Sequence, residues 1–252
     1  MFERQDHDLT GSELRRVFLR GADMRGGAIF DSRLRGVDMW NIDIDGDLMN
    51  VRVNGVDIAP LVDAELDRQD PDRAKMRPAD AEGFREAWPI LETRWAATVE
   101  RAMTFPEYQL HEPVGDEWSF VQTLRHLCFA TDAWVARMVL GDPAPWHQLD
   151  LPWDTAPGWE GIPWDRDVRP PLDEVLAVRA ERQALVRHVI ADLTDAQLTA
   201  TVTRTEPGWP QAEDFPVEKC LRIVLKEEWQ HRQYAERDLT ALAAGAAGES
   251  QL

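Results

Sequence analysis

The chain has 252 residues, 44% of them hydrophobic, and carries 46 Asp and Glu against 28 Lys and Arg, a formal net charge of −18. That is apolar material enough for one large domain or two small ones. The charge excludes generic binding to nucleic acid or anionic membranes, because affinity for phosphates comes from Lys and Arg that displace counterions. Cys128 and Cys220 lie inside helical patterns, and no signal peptide or long uncharged apolar run is present. A cytoplasmic protein with reduced thiols and no membrane span is therefore expected.

The N-terminal part repeats in fives. Leu9, Leu14, Leu19, Met24, Ile29, Leu34, Met39, Ile44 and Met49 share one position of the period. Ser12, Val17, Ala22, Gly27, Ser32, Val37 and Ile42 stand two residues before such positions, and Gly11, Gly21, Gly26, Gly36 and Gly46 two after. No helix has this period; it places one large apolar side chain inward on each short face of a square coil. GADMR, RGVDM and the neighbouring fives resemble the pentapeptide-repeat family, which implies a right-handed β-helix over roughly residues 7–50. About two coils bury too little to stand alone. Val51, Val53, Val56 and Ile58 are expected to lean this segment (1–58) on the rest, and Asn54-Gly55 between alternating apolar residues predicts a small hairpin.

Residues 59–79 read as a connector punctuated by Pro60, Pro71 and Pro78, with a short helix in LVDAELDRQ. From about residue 80 the apolar period becomes helical, in four long segments near 80–104, 119–140, 171–193 and 215–245. Ser119-Phe-Val-Gln122 has capping-box spacing, and Pro170-Pro171 suits the first turn of the third segment. The expected fold is thus mainly α, a four-helix bundle over 80–245 with a disordered tail at 246–252. Residues 141–170 are too long for a tight turn and must cross over the bundle. Their Trp146, Trp153, Trp159 and Trp164 argue for order rather than disorder.

In LKEEWQHRQYAERDL, Glu227 and His231 are spaced i and i+4, so they project from one helix face one turn apart. His231 falls near the centre of an apolar face made by Leu221, Val224, Ala235, Leu239 and Leu242. A buried imidazole needs partners for its ring nitrogens, and a metal ion would supply one. His126, with Ala130 and Ala133 leaving room beside it, is the donor to expect from the second helix. Its place on the helix, well around from Phe120, Leu124, Leu127, Thr131 and Met138, points it toward a cleft or solvent. Glu228 competes with Glu227, since Glu-x-x-His spacing serves in di-metal bundles. His111, His147 and His188 have no partner at ligand spacing and read as surface or loop residues, and Cys128 reads as a small buried apolar residue.

WSFVQTLRHL together with EEWQHRQYAERDL resembles the DinB/YfiT-like superfamily over roughly residues 80–245. The resemblance implies a DinB-like four-helix bundle with a long crossover between its second and third helices. It also implies one divalent metal bound by a His of the second helix and an HxxxH pair of the last. Carried over, the ligands are His126, Glu227 and His231, with Glu227 standing where the family has His. Two His and one carboxylate suit Zn, Ni, Fe(II) or Mn and leave positions open to water or substrate. The Trp-rich crossover either covers that open side or simply packs on the bundle.

Relatives of this kind imply a thiol-dependent S-transferase or isomerase, with a small-molecule substrate, a mycothiol-type low-molecular-weight thiol as co-substrate, and a monomer or homodimer. No acid, base or substrate-binding residue is named beyond the ligands. The competing expectation is a non-enzymatic binding protein whose acidic repeat end mimics duplex DNA, the metal being structural or absent.

Overall fold

A computed structural model describes residues 8–249 apart from 14, 16, 23, 25–28 and 116. Leu14, Gly26 and Gly27 of the five-residue pattern lie outside the described residues, as do residues 250–252 of the expected tail. The chain forms two units, residues 1–48 and 49–252.

Where described, the first unit has neither helix nor strand. Positive φ recurs at Gly11, Gly21, Asp31, Gly36, Asn41 and Gly46, all on a five-residue grid, so the period survives as regularly spaced left-handed corners. The expected inward row does not. Leu9, Leu19, Met24, Ile29, Leu34, Met39 and Ile44 are between 52% and 70% exposed. A buried β-helical core of the pentapeptide-repeat kind is therefore not shown. So short a stack has too few neighbours above and below to close over its apolar side chains.

The second unit opens with a hairpin, β1 (Arg52–Val53) against β2 (Val56–Asp57), antiparallel with Val53 opposite Val56. Asn54 and Gly55 close it with φ of 51° and 85°, as the type I′ turn demands. Val53 and Val56 are exposed, so they do not form the expected packing surface. Two helices follow, α1 (Ala59–Gln69) and α2 (Pro71–Lys75). Arg94 donates to Asp70 and Asp72 at 2.6–2.8 Å and ties this connector to the bundle.

Four long helices make the bundle: α3 (Ala81–Ala102), α4 (Phe120–Thr131), α5 (Leu172–Ala191) and, after the short α6 (Asp195–Leu198), α7 (Val217–Glu249). A two-strand ladder, β3 (Thr201–Val202) with β4 (Phe215–Pro216), leads into α7. Helix α7 continues past the expected end at 245. Both α3 and α4 pack against α5 and α7, which closes a ring around the core. Phe84, Trp88, Leu91 and Leu225 fill one end of it, and Trp95, Leu124, Val175 and Leu239 the other.

The capping box predicted for α4 is present, with Ser119 Oγ accepting from Gln122 N and Gln122 Oε1 accepting from Ser119 N. Beyond Thr131 the helix widens into a π-helical segment, Asp132–Val139, ended by Gly141 at φ 83°. Arg204 donates to the carbonyls of Arg137 and Met138 at 2.9 and 2.7 Å and so caps this wide end, where the Arg137 carbonyl also accepts from Gly141 N. Every residue of α4 except Gln122 is buried, because the crossover lies on the side that the bundle leaves open. Among the described residues no helix is long and apolar enough to cross a membrane.

Candidate metal centre

Helix α4 delivers His126 and helix α7 delivers Glu227 and His231, and the two helices pack directly. His126 Nε2 lies 3.4 Å from Glu227 Oε2, and His231 Nδ1 lies 3.2 Å from the same oxygen. The two imidazole centroids are 4.9 Å apart, and one ligand atom from each of the three residues falls within 4.8 Å of the others. Two ligands each about 2.1 Å from a tetrahedral ion stand about 3.4 Å from one another. The separation of His126 Nε2 from the Glu227 carboxylate is therefore that of two groups able to share one ion.

The hydrogen bonds assign the tautomers. His126 Nδ1 lies 2.9 Å from the Leu151 carbonyl oxygen, and His231 Nδ1 lies 3.0 Å from the Glu227 carbonyl oxygen. A carbonyl can only accept, so Nδ1 carries the proton in both rings and Nε2 keeps the lone pair. This is the orientation in which a backbone carbonyl holds a metal-ligating imidazole. Burial, helped by the neighbouring His126, pushes His231 down to about 4, so the ring is neutral at neutral pH. Burial alone would raise Glu227, but the imidazoles of His126 and His231 beside it hold its carboxyl below the usual range. A neutral His231 beside an ionised Glu227 is the protonation state a cation needs.

Aromatic rings wall the site. Trp118 lies 4.5 Å from the His126 ring and 5.8 Å from that of His231, Phe129 6.1 Å from His126, and Tyr234 5.9 Å from His231. The Trp118 indole donates to Asp154 Oδ1 at 2.7 Å, and Arg166 also donates to that carboxylate. The crossover thus fixes the ring that covers both imidazoles. It also packs: Trp153, Trp159 and Trp209 meet at 4.8–5.6 Å, and Phe129 stacks on Trp146 at 5.7 Å.

Two expectations change. His126 faces neither cleft nor solvent; it is 7% exposed, because the crossover segment 149–151 lies over it. Glu228 takes no part in the cluster, since both its oxygens bond Arg179 at 2.7 and 2.8 Å in a pair hidden inside the bundle. His111, His147 and His188 stand outside the cluster, with His188 exposed and His147 Nδ1 accepting from Leu149 N. Cys128 is fully buried and its thiol is pushed far up by burial, as befits a core residue rather than a nucleophile. Sequence reasoning missed Leu151, Trp118 and Asp154. Only the adjacency of Trp118 to the capping box offered a signal.

A family model described as the DinB superfamily matches residues 90–235, a span that contains His126, Glu227 and His231. No curated protein and no solved structure matches the chain. With most of the helical ring, the crossover and both site-bearing helices inside a match that covers more than half its length, the chain belongs to the DinB superfamily.

Proposed function

We propose that the protein holds one divalent ion with His126, Glu227 and His231 and works as a metal-dependent thiol S-transferase or isomerase on a small molecule. The observation that carries this reading is the three-residue cluster with both Nδ1 atoms engaged by backbone carbonyls, which leaves two Nε2 lone pairs beside one carboxylate. That donor set suits Zn, Ni, Fe(II) or Mn. A bound cation of this kind lowers the pKa of a thiol or water and so supplies a nucleophile at neutral pH. The protein's own residues do the rest. Glu227 offsets part of the positive charge, the two carbonyls fix the rings, and Trp118, Phe129 and Tyr234 keep bulk water away.

The co-substrate in this reading is a low-molecular-weight thiol of the mycothiol type, the setting is a reducing cytoplasm, and the protein acts as a monomer or homodimer. DNA mimicry by an acidic N-terminal end has less support. Residues 1–48 carry ten Asp and Glu against seven Lys and Arg, a net −3 of the total −18, so the acidity belongs to the second unit. The test is turnover of an electrophile panel with mycothiol, bacillithiol or cysteine by protein loaded separately with Zn, Ni, Mn and Fe(II). Turnover that needs both metal and thiol, and that His231→Ala abolishes, is the expected result. Stoichiometric metal without turnover under any pairing would leave the metal a structural role.

A further inference from the structure

The crossover is pinned to α4 through the carbonyls of Leu149 and Leu151. Arg125 Nε donates to the Leu149 carbonyl at 2.8 Å and His126 Nδ1 to the Leu151 carbonyl at 2.9 Å. Between them the Asp150 side chain turns inward and is 0% exposed. Its Oδ2 accepts from His147 N at 2.9 Å, whereas its Oδ1 meets no N–H or O–H donor. What that carboxyl faces is Asp132, the first residue of the π segment, itself 1% exposed. Both Asp132 oxygens accept from Arg182, at 2.8–3.2 Å.

One guanidinium therefore serves two buried carboxyls. Among the described residues, the remaining titratable groups around the pair do not supply a second free cation. Arg125 directs its Nε, Nη1 and Nη2 at the carbonyls of Leu149, Val168 and Asp165. Cys128 is a neutral thiol, His147 donates its main-chain N–H to Asp150 while its ring Nδ1 accepts from Leu149 N and so carries no proton, and Arg179 is committed to Glu228. Two carboxylates in a dry site cannot both stay ionised beside a single cation, and a shared proton also satisfies the orphan Oδ1.

We propose that Asp150 is protonated at neutral pH and donates to Asp132, and that this bond fixes the Leu151 carbonyl that holds His126 with its Nδ1 protonated. Asp150 and Asp132 are then positioning residues for the metal ligand. The role of His126 as ligand rests on the metal reading above; the shared proton does not. Burial, followed by the Asp132 charge, drives Asp150 well above the ordinary carboxyl range. Because the folded form keeps a proton that the unfolded chain has lost, stability falls as pH rises from about 4 through the folded value and levels off beyond it.

The experiment uses metal-free full-length protein first. The infrared difference between wild type and Asp150→Asn at pH 7 is expected to show a protonated-carboxyl band that the variant lacks. Nitrogen NMR is expected to show His126 as a single Nδ1–H tautomer in wild type and in Asp150→Asn, whose amide still donates to Asp132, but as a mixture in Asp150→Ala. Zinc affinity by chelator competition should fall about 10–100-fold in Asp150→Ala and recover in Asp150→Asn. If Asp150→Ala does not fold, a pH titration of wild type decides, since the band and the single tautomer must vanish together as pH rises. Absence of the band at neutral pH, or an unchanged His126 tautomer once Asp150 is ionised or removed, overturns the proposal. Wild type that takes up no metal refutes the metal reading instead, and both metal-free readouts still judge the proton.

Discussion

Glu227 and Glu228 are adjacent in sequence, yet the structure gives them opposite surroundings, and substituting each to Gln separates the two. Glu228 is 1% exposed, and its carboxylate grips Arg179 through two bonds of 2.7 and 2.8 Å. Removing its charge leaves a guanidinium buried beside Trp95 without its counter-ion. Breaking a buried pair from one side costs about 3–5 kcal/mol. For a unit spanning residues 49–252 each kcal/mol lowers Tm by about 2–4 °C, so Glu228→Gln should melt about 6–20 °C below wild type. Its metal stoichiometry should be unchanged at a temperature where it is folded. Glu227→Gln should do the reverse, keeping Tm within a few degrees of metal-free wild type while losing metal affinity. Circular-dichroism melts of metal-free protein, paired with metal analysis of loaded protein, read both quantities. Metal lost from Glu228→Gln but retained by Glu227→Gln would show that the wrong carboxylate has been placed in the cluster.

Cys128 and Cys220 are both buried, and burial pushes their thiols up, Cys220 to about 11; neither should react with a thiol reagent at pH 8 until the protein unfolds. A rapid native reaction would mean that the packing around them opens readily. Arg204→Ala strips donors from the carbonyls of Arg137 and Met138 and should cost about 1–3 kcal/mol, measured by denaturant unfolding; an unchanged midpoint would mean that water replaces the side chain without penalty. Although burial raises Glu236, the Thr98 hydroxyl and Arg101 together hold its carboxyl below the usual range. Its folded value is depressed, so its contribution is present above about pH 4.5 and lost as pH falls through the folded value. Glu236→Gln should therefore be less stable than wild type at pH 7 and show a shallower loss of stability toward pH 2, whereas parallel curves would contradict the assignment.

The helices were legible because their signals are local. Apolar positions at helical spacing mark α3, α4, α5 and α7, Ser119 and Gln122 mark where α4 begins, and Asn54-Gly55 marks the hairpin. The cluster was legible for half of its geometry. The i, i+4 spacing puts Glu227 and His231 on one face, but only packing of α4 on α7 brings His126 to 3.4 Å from Glu227. What stayed hidden depends on residues distant in sequence. Nothing near Glu228 announces Arg179, 49 positions away, and nothing in an irregular crossover announces that the Leu151 carbonyl covers His126. The five-residue period is local in the same way. It marks where the backbone turns, at Gly21 or Asn41 for example, but says nothing of whether Ile29 or Leu34 is buried, and both are exposed.

The metal centre is put to the test by elemental mass spectrometry of untagged protein after incubation with Zn, Ni, Mn or Fe(II), comparing wild type with His126→Ala and His231→Ala. Close to one ion per wild-type chain is expected, with loss of that ion from both variants. Wild type that retains none of the four metals, or variants that hold metal as tightly as wild type, would contradict it.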